Sequence, residues 1–80
     1  METREIMLKC IDVFNIPIEL PEESMSYSEK YKLEMCREFA NKREVKVDLS
    51  VFDEEQKKYV QEMMIELSME FGGKVSFINE

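Results

Sequence analysis

A chain of 80 residues with 18 acidic against 11 basic side chains, a net charge of −7 and no histidine reads as one small acidic domain, residues 1–80. So short a chain buries a modest share of its surface and has a thin stability margin, while its interspersed lysines and glutamates set it apart from a disordered acidic tail. The charge repels nucleic acid phosphates and anionic lipid and favours encounter with basic proteins, so direct DNA or RNA binding is not expected.

The first helix is expected from Thr3 to Phe14, where Ile6, Met7, Cys10, Ile11, Val13 and Phe14 share one arc at 3.6 residues per turn and Glu5, Lys9 and Asp12 lie opposite. Leu8 lies off that arc. Ile16-Pro17-Ile18-Glu19-Leu20-Pro21 alternates with period two, but proline cannot donate to a sheet ladder. The segment is therefore either an edge strand or an extended connector that plugs Ile16, Ile18 and Leu20 into the core.

Ser26-Tyr27-Ser28-Glu29 has the capping-box pattern and opens a second helix, whose inner face carries Tyr31, Met35, Cys36, Phe39 and Ala40. Lys42 and Arg43 close it with charges suited to the carbonyl end of a helix. Val45, Val47, Leu49 and Val51 then alternate with Lys46, Asp48 and Ser50, the pattern of a strand with one covered face. Asp53 and Gln56 form a second capping pair for a third helix, which the Gly72-Gly73 pair ends. Lys74 to Ile78 reads as a closing strand with Val75 and Phe77 inward.

These elements give an α+β fold. It is a two-layer sandwich of three helices on one face of a small two- or three-stranded sheet, containing a C-terminal β-α-β unit. One tension follows, because parallel sheets are usually covered on both faces and this one shows Lys46, Asp48, Ser50 and Ser76 on its outer side. Either the sheet is mixed or something covers it.

Chemistry is sparse. General acid–base catalysis calls for a histidine or a carboxylate buried beside a partner, and the serines have no histidine to activate them. Asp48, between Val47 and Leu49, occupies the least ordinary position of any carboxylate and is read as solvated or lysine-paired. Glycine occurs only at positions 72 and 73, so no glycine-rich phosphate cradle exists. Cys10 and Cys36, without histidine or a CxxC spacing, read as buried free thiols rather than a disulfide or metal site. Tyr27, Tyr31 and Tyr59 could stack a base, but the acidic setting favours packing roles. No catalytic residue, metal or cofactor is assigned, and an enzyme is not expected.

The third helix offers more. At 100° per residue Tyr59, Val60, Met63, Met64, Leu67 and Phe71 form a core face, whereas Ile65 and Met69 fall nearly opposite, with Glu55, Glu62, Glu66 and Glu70 between. Like charges one turn apart cost about 0.2–0.5 kcal/mol per pair, and acids near a helix C-terminus oppose its dipole. Such a row is an ordinary solvated face, or else Ile65 and Met69 are anchors with a steering acidic rim. A third arrangement buries Ile65 and Met69 against another helix.

The expected function is a small acidic protein-binding module. It would inhibit or regulate a larger protein with a basic surface through Glu62, Ile65, Glu66, Met69 and Glu70, which includes mimicry of nucleic acid by carboxylates one helical turn apart. The second reading is a structural subunit that self-associates through its uncovered sheet face or edge strand. No apolar run approaches the roughly 20 residues needed to cross a bilayer, and no basic-then-apolar signal order opens the chain. A cytoplasmic location is expected.

Overall fold

The computed structural model describes residues 2–79. Helix α1 spans Glu2–Phe14, α2 Tyr27–Lys42 and α3 Glu54–Phe71, and strands β1 (Glu44–Asp48) and β2 (Lys74–Ile78) flank α3 in sequence. The strands pair in parallel, Val45 beside Val75 and Val47 beside Phe77, so α3 is the crossover of a β-α-β unit. Three helices on a small sheet make the α+β sandwich that the hydropathy pattern predicts.

Local chemistry sets the helix ends. Ser26 and Asp53 each accept a hydrogen bond from the backbone N–H three residues on, at 3.2 and 2.8 Å, while Glu29 and Gln56 reach back to the cap N–H. Both capping boxes are complete. Helix α1 ends on Asn15 in the left-handed region, with Asn15 N–H bonded to Asp12 and Ile16 N–H bonded back to Ile11. This paired pattern satisfies the last carbonyls and turns the chain before Pro17. After α3 the backbone passes Arg43 so closely that a Cβ on Gly73 would lie 2.6 Å from the Arg43 carbonyl and 2.9 Å from the Phe39 ring. Only glycine fits there.

Arg43 ties one end of the molecule together. Its guanidinium donates to the Phe71 carbonyl at 2.9 Å and to Glu2 at 2.6 Å, and its own carbonyl accepts from Lys74 N–H at 2.8 Å. The start of α1 and the ends of α2 and α3 therefore meet where both strands begin. At the other end the Tyr59 hydroxyl donates to the Val13 carbonyl, and the Tyr59 ring meets Phe14 edge-on at 6.1 Å.

Helix α1 packs against α2 and α3, α2 lies on β1, and α3 lies on β2. Between them Ile6, Cys10, Phe39, Val47, Val60 and Met64 are fully enclosed. Leu33 and Phe52 join the core as well, two residues that the helical and strand patterns leave unassigned. On the far side of the sheet Glu44, Lys46, Lys74, Ser76 and Ile78 face solvent. The two strands are parallel and no element of the described chain covers that face.

Four expectations are corrected. Residues 16–20 form consecutive tight turns rather than a strand, through Ile18 N–H to Ile16 and Leu20 N–H to Pro17. Ile16 plugs the core, but Ile18 and Leu20 are exposed, because the turns rotate them away. Strand β1 stops at Asp48, whose carboxylate accepts from Ser50 N–H at 3.0 Å and from Ser50 Oγ at 2.7 Å. This side-chain alternative to the ladder bends Leu49–Val51 into a 3-10 turn, with Leu49 still buried. Tyr59 is half out in solvent, clamping α1 rather than filling the core, and Phe77 is half-buried rather than enclosed.

Candidate functional site

The outward side of α3 carries the residues of interest because its inward side is taken. Val60, Met64 and Leu67 are buried and Met63 and Phe71 half-buried, all within one arc that meets the core. Half a turn away Ile65 is 46% and Met69 79% exposed. Neither is buried against another helix. Glu55, Glu62, Glu66 and Glu70 are exposed too, and among the described residues no cation pairs with Glu62, Glu66 or Glu70.

The helix tolerates this acidic row in part through a residue outside it. Its last turn contains no basic side chain, yet Arg43 from the end of α2 donates to the Phe71 carbonyl and supplies positive charge where the dipole is negative. The pattern assigns Arg43 to the carbonyl end of its own helix, whereas its guanidinium serves α3. Ser68, one residue short of Met69, returns its hydroxyl to the Ile65 carbonyl at 2.7 Å and adds no free donor to the face. The exposed face of α3 is thus two apolar side chains one turn apart with carboxylates along their flank.

Other polar clusters are internally satisfied. Asp48 is lysine-free: Asn79 Nδ2 donates to it at 2.9 Å alongside Ser50, and these bonds hold its carboxyl below the ordinary range. Tyr31, read as part of the inner face of α2, is half-buried and accepts from Asp48 N–H at 2.7 Å. Tyr27 stands in solvent.

Cys10 on α1 and Cys36 on α2 are both buried free thiols, and they are close enough to influence each other's charge. The neighbouring Cys10 side chain, reinforced by burial, pushes the Cys36 thiol well above its ordinary value and keeps it protonated. Enclosed and neutral, it is a poor nucleophile. Sequence spacing gives no sign of the pairing; only the shared apolar faces of the two helices could have hinted at it.

Among the described residues no group of three or more cysteines and carboxylates is placed to hold a metal ion, and no helix is long and apolar enough to cross a membrane. Comparisons with family models, with curated proteins and with solved structures return no match.

Proposed function

We propose that this chain is a small protein-binding module that inhibits or regulates a larger protein by occupying a basic surface on it. One observation carries the reading: Ile65 and Met69 stand in solvent beside Glu62, Glu66 and Glu70, whose charges no described cation neutralises. An apolar centre with a charged flank is the anatomy of a transient interface, in which the apolar contact holds and the charges steer. The carboxylates repeat one helical turn apart, about 5–6 Å, so a surface built for nucleic acid phosphates is one form of the target. On this reading the module works in the cytoplasm.

The test compares immobilised wild type with the Ile65→Ser/Met69→Ser double variant. Wild type should retain a basic protein from a lysate of the native host at low salt and release it toward physiological salt, because exposed charges are screened over about 8–10 Å. The variant should lose that protein while its circular dichroism stays that of wild type. Equal retention by both, or retention indifferent to salt, overturns the reading. Added duplex DNA should displace the protein if the target surface is one for nucleic acid; otherwise that form of the proposal falls.

A further inference from the structure

Among the described residues strand β2 pairs with one strand, β1. The bond from Lys74 N–H to the Arg43 carbonyl, with the pairs Lys74–Glu44 and Ser76–Lys46, fixes which backbone groups face β1. In a parallel ladder alternate residues point their N–H and C=O to the same side, so Lys74, Ser76 and Ile78 bond toward β1. Val75 and Phe77 direct theirs away from it. An open edge of this kind is a template for another strand.

The opposite edge of the sheet is better guarded. There Asp48 N–H is already bonded to the Tyr31 hydroxyl, and the charged side chains of Glu44 and Lys46 flank it. The middle of β2 carries no charge, and cover over it is incomplete. Val45 and Val47 in β1 are closed off by the helices, but their partners Val75 and Phe77 are only half-buried. Ile78 is exposed on the other face.

Charge indicates the occupant. Residues 71–79 form the longest stretch of this chain without an acid, and Lys74 is their sole charge. A basic partner finds nothing to pair with there. A second copy, repelled by the net charge of −7 elsewhere, meets no carboxylate on this strand.

We infer that β2 is a homodimer edge, on which a second copy lays its own β2 antiparallel about a two-fold axis at Ser76, giving a four-stranded sheet. The axis falls at the centre of the five-residue strand. Val75 of each copy lies opposite Phe77 of the other as a hydrogen-bonded pair, so the outward N–H and C=O groups of both residues are satisfied. Ser76 faces Ser76 as the close, non-bonded pair. Lys74 lies opposite Ile78, which keeps the two lysines apart, and apolar side chains meet on the helix side. This surface is separate from the outward face of α3, and the two respond to salt with opposite sign. Screening strengthens pairing of two acidic copies and weakens capture of a basic partner.

Sedimentation equilibrium over a range of concentrations tests the edge, using Ser76→Lys and Ser76→Glu at an exposed position. Wild type should dimerise, more tightly as salt rises. Each variant should be monomeric at the same concentration with unchanged circular dichroism, because like charges directly opposite destabilise a pair, and an equimolar mixture of the two should restore the dimer. A wild type that stays monomeric to millimolar concentration overturns the inference, as do single variants that dimerise like wild type. Amide exchange gives a reading without mutation: the Val75 and Phe77 amides should become protected as concentration rises. Exchange that is independent of concentration counts against the edge.

Discussion

At the scale of single residues, two methionines five positions apart on α3 show how little residue type says without placement. Met64 is fully enclosed and Met69 largely in solvent. Met64→Ala should cost about 2–5 kcal/mol, the range for a truncated core side chain, while Met69→Ala should stay within about 0.5 kcal/mol of wild type. Urea unfolding of the two variants checks both. Asp48 makes a second prediction through pH. Its hydrogen bonds from Asn79 and Ser50 form in the folded chain and lower its folded pKa below the ordinary carboxylate value. A depressed folded pKa stabilises the fold fully above the unfolded value and loses that contribution as pH falls through the folded one. Below about pH 4, then, the denaturation midpoint of wild type should fall more steeply than that of Asp48→Asn.

Among the elements, what was legible was what is encoded locally. The two capping boxes and the glycine pair fix α2 and α3 almost to the residue, because each cap needs only groups three positions apart. The end of β1 was not legible from alternation, since Leu49 and Val51 continue the period while Asp48 diverts the backbone into its own turn. Nor was Arg43, whose partners Glu2 and Phe71 lie far off in sequence. Replacing it with lysine keeps the charge but removes the fork that reaches both partners. Arg43→Lys should therefore lose about 1 kcal/mol, after allowance for its partial exposure, and should speed amide exchange in the last turn of α3.

For the whole molecule, the sheet is the thin part of the design. Its outer face is bare, and its second strand is only half covered by the helices. Phe77→Ala should accordingly cost about 2 kcal/mol, less than the roughly 3–5 of an enclosed phenylalanine, with thermal unfolding as the measurement. The candidate site was legible to the extent that helical angle alone separates Ile65 and Met69 from the core face. That they are open rather than covered by a third helix depends on α1 packing against the Tyr59 side of α3, a long-range contact that periodicity does not encode.

The exposure of Met69 also makes it a point of oxidative attack. Met25, Met35 and Met64 are buried and Met7 and Met63 half-buried, so of the described thioethers Met69 is the one a dilute peroxide reaches first. Its sulfoxide would be polar and chiral in place of apolar, a change that methionine sulfoxide reductases undo. Mild peroxide followed by peptide mass analysis should find Met69 modified well ahead of Met64. Sulfur chemistry would then wet the apolar half of the α3 face without unfolding the helix beneath it.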